Sequence, residues 1–357
     1  MGEKLRDAQY ITISKYSETN KGDFYFIDFT YHIGQVAVDN IIETIKFNDE
    51  SREKPFYYAG NSWNGETFDT LCQSKGEDDF KRLGVLRMDV DNMGDKFQSL
   101  NKFEDFQCLS HRLDKFFGKT LDDIKKPKHE ESIFIIYSGG DDVFAIGDWL
   151  HIMEFAKEVH DEFTKEFEGF TISAGVSLIT LKYPIMKGAE YAGEEEFKAK
   201  CHKYFSGQFE KNSISFMNYP MNWDEEYKPI RKLKKTLCEL DKLPSSFLQK
   251  ILQLWDIADT EAQNNNEKRI SKTHKIGDDK LRLYWLIAYD LGRFKERTQD
   301  SNIKELIDRC ITECCVHNLV NRKFNGEPIN SIYHPLELWA IACRWAELEL
   351  RTNKKTD

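Results

Sequence analysis

Two adjacent acidic residues follow two glycines in the stretch YSGGDDVFAIGD, and this arrangement is the strongest signal of chemistry in the chain. Apolar runs on both sides predict a β-hairpin, because Gly139 and Gly140 can supply the positive φ that a tight turn needs. Asp141 and Asp142 would then repel each other at the tip of the hairpin. A divalent metal ion is the usual cation that makes such a pair favourable.

A second acidic motif, LRMDVDN, precedes this hairpin in the chain. Period-two alternation predicts that Asp89 and Asp91 lie on the open face of a strand, opposite its apolar residues. Neighbouring strands lie about 4.8 Å apart, so Asp89 could share metal ions with Asp141 and Asp142. A site made only of oxygen ligands favours Mg²⁺ or Mn²⁺ over zinc. Two such ions suit nucleotidyl transfer. If the hairpin is considered alone, the alternative interpretation is a solvated turn without a metal.

The elements that would position these motifs divide the chain into three predicted parts. Residues 1–77 indicate a small β-rich lead-in, and residues 78–222 alternate strand and helix signals. Residues 223–357 show helical periodicity without strand signals. The order of elements in the middle part suits a ferredoxin-like sheet with helices on one face. The predicted fold class is therefore α+β, with an all-α helical bundle after the ferredoxin-like domain.

Composition narrows the class of protein. The 357 residues carry a formal net charge of −10, which argues against binding nucleic acid through bulk electrostatics. A local basic patch, such as YKPIRKLKKTL, remains possible. No apolar run approaches the roughly 20 residues that span a bilayer, and the first residues contain no apolar signal core. Eight cysteines without a C-x-x-C pair indicate reduced thiols, so a cytoplasmic location without membrane contact is predicted.

Three other groups of residues are interpreted as structural. Cys310 and Cys314 continue an apolar stripe at helical spacing, which favours a buried helix face over a metal site. The pair His160 and Asp161 lies within an amphipathic helix and lacks the further ligands that a nuclease metal site would need. Four tryptophans are assigned to the core rather than to base stacking: Trp255, Trp285, Trp339 and Trp345.

Four segments together resemble a known family. They are LGVLRMDVDNMGDKF, IFIIYSGGDDVFAIGDW, FTISAGVSLI and KYPIMKGAEYAGEEEFKAK. They resemble the second palm domain of the large signature subunit of type III CRISPR effector complexes, of the Csm type, and the resemblance continues into the helical tail. It implies a palm of the nucleotide cyclase and polymerase type. A resemblance to diguanylate cyclases, which share an analogous GG(D/E)(D/E)F hairpin, is weaker.

This resemblance implies a metal-dependent nucleotidyltransferase that makes cyclic oligoadenylate second messengers from ATP when the complex binds target RNA. It implies that Asp89, Asp141 and Asp142 are catalytic and bind Mg²⁺ or Mn²⁺, with the Val90 carbonyl as a further metal ligand. Nucleotide contacts are implied for residues of the hairpin and of a later helix: Ser138, Gly139, Gly140 and Lys200.

The resemblance also implies partners. These are the small subunit and the subunit that binds the crRNA end, with crRNA and target RNA contacted indirectly. Family members begin with an HD nuclease domain and a first palm, which this sequence does not display. A second palm is therefore expected from a partner chain or a second copy, and cleavage of single-stranded DNA is not expected. Two alternatives remain: a diguanylate-cyclase-like enzyme that uses GTP, and a catalytically silent scaffold subunit.

Overall fold

The structure is a computed structural model. It describes residues 10–18, 22–30, 41–46, 68–72, 80–100, 102–203, 211–240, 243–264, 280–315 and 323–353. The chain divides into two compact units, Met1–Phe56 and Tyr57–Asp357. Among the residues described, no helix has the length and apolar content to cross a membrane.

The first unit contains a three-stranded antiparallel sheet in the order β2-β1-β3. Its strands are β1 (Tyr10–Glu18), β2 (Gly22–Thr30) and β3 (Ile41–Lys46). The predicted β-rich character is confirmed, and β3 is an addition to it, because the short segment IIETIK was not recognised as a strand.

The second unit is built around a six-stranded mixed sheet in the order β5-β6-β4-β7-β8-β9. Only the pair β7 and β8 is parallel within this sheet. The central strand β4 lies between β6 and β7, which places the end of β4 beside the β5–β6 hairpin. The strands are β4 (Leu83–Val90), β5 (Ile133–Gly139), β6 (Asp142–Asp148), β7 (Ile172–Ile179), β8 (Ser213–Phe216) and β9 (Tyr219–Asn222).

The helices of this region lie between the strands in the chain. A short 3₁₀ turn (Phe68–Cys72) precedes the sheet, and a π-helical turn (Phe116–Thr120) joins α2 to α3. The helices are α1 (Met93–Gln98), α2 (Phe103–Lys115), α3 (Leu121–His129), α4 (Trp149–Glu166) and α5 (Ile185–Lys200).

Helices cover both faces of the six-stranded sheet. On one face α4 packs against β4, where a Cβ added to Gly84 would lie 3.0 Å from the Cα of Trp149. On the other face α5 packs against β7, where a Cβ on Gly175 would lie 2.1 Å from the backbone nitrogen of Glu196. The prediction of helices on one face is therefore wrong, because these glycines permit close packing on both.

The described residues that follow the sheet are mainly helical and share a hydrophobic core with it. Trp149 of α4 stacks on Phe216, and Phe216 contacts Trp345 of the last helix edge-on. A π-helical turn (Trp223–Tyr227) starts this part. The helices are α6 (Lys228–Glu239), α7 (Ser245–Asn264), α8 (Lys280–Arg297), α9 (Ser301–Cys314) and α10 (Pro335–Asn353).

The α+β fold class is confirmed, with two small differences. The helical part also contains a hairpin of two-residue strands, β10 (Lys323–Phe324) and β11 (Glu327–Pro328), which were too short to give a sequence signal. The polar stretch EAQNNNEKRISK predicts a loop from Glu261, but α7 extends to Asn264, and residues 265–279 lie outside the described residues. The domain boundaries at 77/78 and 222/223 stay predictions.

Most of the residues interpreted as structural are buried as expected. Cys310 and Cys314 are fully buried with their Sγ atoms 3.9 Å apart. His160 stacks on Trp223, and its Nε2 lies 3.1 Å from Oδ1 of Asn212. Three of the four tryptophans lie in the core, but Trp285 is 61% exposed, so its assignment to the core is wrong.

Candidate metal and nucleotide site

The turn between β5 and β6 consists of only two residues, Gly140 and Asp141. Gly139 pairs with Asp142 across the hairpin, and Gly140 has a φ of 68°. A positive φ at the first loop position is typical of a type II′ turn. Only one glycine of the pair supplies the positive φ, which corrects the prediction that both do. As a result Asp142 is the first residue of β6, and the sheet fixes its direction.

The strand register places two acidic side chains opposite each other. Asp89 of β4 pairs with Asp142 of β6, and directly opposed residues in antiparallel strands project from the same face. The charge of Asp89 therefore acts on the carboxyl group of Asp142. Asp141 lies next to them, because its carbonyl accepts a hydrogen bond of 3.1 Å from the amide of Val90. The structure thus brings Asp89, Val90, Asp141 and Asp142 together. We call the three aspartates the carboxylate cluster.

Burial and neighbouring charge raise the pKa values of two of these carboxyl groups. Burial raises the pKa of Asp142 to about 6, with further contributions from the hydrogen bond and charge of Asp89 and the charge of Asp141. Burial also raises the pKa of Asp141, and the charge of Asp89 adds to this effect. A bound cation would oppose both shifts, because it favours the ionised form of a carboxylate.

Lys200, at the end of α5, supplies a cation to the carboxylate cluster. Its ammonium group contacts Oδ2 of Asp89 and lies 3.2 Å from Oε1 of Glu196. Burial acts to lower the pKa of Lys200, but the hydrogen bonds and charges of Asp89 and Glu196 together outweigh it and raise the pKa. The lysine is therefore charged, and it places a positive charge beside the carboxylate cluster.

Two polar residues near the cluster face elsewhere. The Ser138 hydroxyl is fully buried and donates a hydrogen bond of 2.8 Å to the carbonyl of Phe117. Asp91 was expected on the same open face as Asp89, but it lies beyond the end of β4 and is only 2% exposed. Its carboxylate accepts hydrogen bonds from Thr171 and Ser173, each at 2.8 Å. The structure therefore does not bring Ser138 and Asp91 together with the carboxylate cluster.

Sequence reasoning missed two charged residues beside the cluster. Glu196 binds Lys200 from one turn earlier in α5, and Arg87 lies 3.4 Å from Glu196, Nε to Oε2. The spacing of Glu196 and Lys200, four residues apart in a helix, was a usable signal for their contact. For Arg87 the signal was its position two residues before Asp89 on the same strand face.

The donor atoms of the cluster fit a hard divalent cation. Mg²⁺ usually binds through one or two carboxylates and completes its shell with water and substrate phosphates. Asp89 and Asp142 offer such a pair on adjacent strands, with Asp141 and the backbone of Val90 beside them. Within the described part of the chain, no group of three or more His, Cys, Asp or Glu side chains forms a ready metal cage. The carboxylate cluster therefore suits a cation whose remaining ligands come from water and from the phosphates of a substrate.

Comparison with known proteins identifies the region that carries this site. Residues 82–215 match the family model for the second palm domain of Cas10/Cmr2. This region is therefore similar to a Cas10/Cmr2 second palm. The predicted resemblance to the large subunit of type III, Csm-type CRISPR complexes is thereby confirmed.

Curated relatives of this palm are named CRISPR system single-strand-specific deoxyribonuclease Cas10/Csm1, subtype III-A. The relative from Enterococcus italicus is 34% identical over 186 residues, which are 48% of this chain and 23% of the relative. The relative from Streptococcus thermophilus is 30% identical over 227 residues, 58% of this chain and 29% of the relative. These matches therefore cover less than a third of each relative.

Solved structures with the same fold include Csm1–Csm4 cassettes. One, in complex with pppApApA, matches 97% of this chain and 49% of the solved chain, with a TM-score of 0.60 and 18% identity. Another, in complex with cA4, matches 96% and 48% with a TM-score of 0.59 and 18% identity. The chain thus spans about half the length of the solved chain, and this similarity shows the fold.

Proposed function

We propose that the chain is a metal-dependent nucleotidyltransferase that makes cyclic oligoadenylate from ATP within a target-RNA-activated type III CRISPR effector complex. The single observation that carries this proposal is the in-register pair Asp89 and Asp142, with the ammonium of Lys200 on Asp89. This arrangement combines oxygen ligands for a cation with a positive charge for phosphate. The Cas10/Cmr2 palm and the nucleotide complexes of the Csm1–Csm4 structures support ATP as the substrate.

The residues of the palm have separate roles in this proposal. Asp89, Asp141 and Asp142 hold Mg²⁺ or Mn²⁺, with the Val90 carbonyl beside them. A divalent cation there lowers the pKa of an attacking 3′-hydroxyl and balances charge on the leaving pyrophosphate. Gly139 and Gly140 let the nucleotide approach the backbone, since no atom lies within 4 Å of the place that a Cβ on Gly140 would occupy.

Lys200 orients the triphosphate by charge. Its ammonium group has three donor hydrogens, so it can contact phosphate oxygens while it stays near Asp89. Hydrogen bonds to charged groups contribute about 1.5–3 kcal/mol each, which suits a group that holds a polyanion. Contact of Ser138 with the nucleotide stays a prediction; the Phe117 hydrogen bond gives its hydroxyl a role in fixing the hairpin.

Each new bond joins two nucleotides, so the acceptor nucleotide needs a site of its own opposite the donor. We assign that site to a second palm domain. The Csm1–Csm4 pairing in the solved structures supports other subunits of a type III complex as partners. The small subunit, crRNA and target RNA complete this proposal.

The test is conversion of radiolabelled ATP with Mg²⁺ or Mn²⁺. The chain would be assayed alone, with a first-palm partner, and in the guide complex with target RNA. The Asp141→Ala/Asp142→Ala variant should lower oligoadenylate formation at least about 100-fold, because a catalytic metal stabilises the transition state by several kcal/mol. Asp122→Ala/Asp123→Ala removes an adjacent acidic pair from α3 and serves as the matched control.

The outcomes separate the three functions. Oligoadenylate that requires Asp141 and Asp142 supports the proposal. Product from GTP and not from ATP would favour a diguanylate-cyclase-like enzyme. No product from either nucleotide in any combination would contradict an enzymatic function and leave a scaffold subunit.

A further inference from the structure

Helix α8 carries a stack of planar side chains on one face. The rings of Trp285 and Tyr289 are 4.9 Å apart with an interplanar angle of 9°. The Arg293 guanidinium lies 5.5 Å from the centre of the Tyr289 ring, and its Nη1 donates a hydrogen bond of 3.2 Å to the Tyr289 hydroxyl. These residues follow one another at intervals of four, so they share one face of the helix. We call Trp285, Tyr289 and Arg293 the α8 stack.

The aromatic residues of the α8 stack are exposed, and Trp285 differs in this from the other tryptophans of the helical part. Trp285 is 61% exposed and Tyr289 is 45% exposed, whereas Trp339 and Trp345 are almost completely buried. Aromatic side chains bury 150–250 Å² each when they pack in a core. The fold gains little of that stabilisation from Trp285. Two exposed aromatic rings stacked side by side are a candidate interaction site.

The order of the stack leaves one end for a ligand. One face of the Tyr289 ring is next to Trp285 and the ring is capped by Arg293, so the outer face of Trp285 is the open end. Arg282 is exposed and lies three residues before Trp285, which places a positive charge beside that open end. The site therefore offers an aromatic face with a cation at each end of the stack.

The charge of α8 also differs from that of the whole chain. The helix contains five basic and two acidic residues, although the chain has a formal net charge of −10. One of the two acids, Asp290, lies 3.5 Å from the Lys250 ammonium of α7. A positively charged helix in an acidic protein is complementary to a polyanion.

We propose that the α8 stack binds single-stranded nucleic acid, with an unpaired base on the outer face of Trp285 and phosphates near Arg282 and Arg293. Stacking on an aromatic ring combined with basic side chains is the usual way in which proteins hold single strands without reading their sequence. A duplex keeps its bases inside and cannot form this contact. This binding is separate from the proposed ATP site and does not depend on it.

The test measures binding of a short fluorescein-labelled oligouridine to the full chain by fluorescence anisotropy. Oligouridine is used because it does not resemble the proposed product of the palm. Base stacking on an aromatic residue contributes about 1–3 kcal/mol, so Trp285→Ala should weaken binding about 5- to 150-fold. Phe197→Ala, which removes a 69% exposed aromatic residue from α5, is the matched control and should bind like the unchanged chain.

Two further measurements keep the result decisive. Trp285→Phe should retain part of the affinity, because it keeps a ring in the stack, and circular dichroism should show unchanged folding of all variants. An affinity of Trp285→Ala equal to that of the unchanged chain would overturn the proposal. Equal binding of a duplex of the same length would also overturn it, because charge alone would then explain the binding.

Discussion

Asp89 and Asp91 are two residues apart, yet hydrogen-bond donors surround Asp91 whereas Asp89 faces another carboxylate. Asp91 is buried, and neutral donors saturate it: the hydroxyls of Thr171 and Ser173 and the amide of Asn212. Asp89 faces a second carboxylate, Asp142, across the strand pair. The first environment stabilises a carboxylate for the fold. The environment of Asp89 leaves repulsion between two carboxylates, which a cation can relieve.

A buried glutamate elsewhere in the chain follows the pattern of Asp91. Glu226 is fully buried, and its Oε2 lies 2.6 Å from Nε2 of His202 and accepts a hydrogen bond of 2.9 Å from the amide of Asn222. Its other oxygen accepts a hydrogen bond from Ser331. Asp91 and Glu226, whose oxygens are hydrogen-bonded, thus support the architecture of the chain, whereas the opposed carboxylates Asp89 and Asp142 carry its proposed chemistry.

The largest effect on stability is expected at Asp91. Asp91→Ala should lower the free energy of unfolding by about 3 kcal/mol, because it leaves buried donors without an acceptor. Asp89→Ala should change it by less than about 1 kcal/mol, since partly exposed ion pairs contribute little. Urea unfolding of both variants measures the difference. Equal losses at the two positions would contradict the contrast between them.

A smaller effect, on substrate binding, is expected at Lys200. Lys200→Ala should raise the KM for ATP about 10-fold, because a charge-assisted hydrogen bond to phosphate is lost. Lys198→Ala is the control, since its ammonium instead contacts Glu195 at 2.6 Å. Steady-state kinetics with both variants is the measurement. The role of Lys200 would be wrong if the two variants bound ATP equally well.

The smallest effect is a pH dependence at Asp142. Its pKa is about 6 in the folded chain, above the ordinary value of 3.8, so the folded state binds more protons between these pH values. Without metal, the stability of the chain should therefore rise as the pH falls from about 7 towards about 4, and this gain is absent above the folded pKa.

Thermal unfolding in EDTA at several pH values tests this sign. Asp142→Asn lacks the titrating group, so it should be the more stable form at neutral pH, and its advantage should shrink as the pH falls through 6. An advantage that grew on acidification would show that Asp142 is not destabilised by its neighbours.

The alternation of apolar and polar residues along the chain predicts the strands that carry the site. The motif LRMDVDN predicts a strand, and the structure places it in β4 (Leu83–Val90), because apolar residues alternate along the strand. The amphipathic helix predicted around His160 and Asp161 is α4, whose apolar residues recur at helical spacing. Local periodicity is sufficient for such elements.

What the sequence could not predict depends on contacts between distant residues. Asp91 continues the alternation of Asp89, but its burial depends on Thr171 and Ser173, which are far away in the chain. Likewise the helical stripe around Trp285 is equally compatible with burial. The short strands β3 and β9 gave no usable signal, because a few residues carry too little periodicity.

The most direct test of the central claim is Mn²⁺ binding in the presence of a non-hydrolysable ATP analogue, measured by electron paramagnetic resonance. Asp89→Asn and Asp91→Asn each remove one charge at positions two residues apart. We predict that Asp89→Asn loses tightly bound Mn²⁺ while Asp91→Asn, at a temperature where it remains folded, keeps it. Retention of Mn²⁺ by Asp89→Asn together with its loss in Asp91→Asn would contradict the assignment of the carboxylate cluster as the metal site.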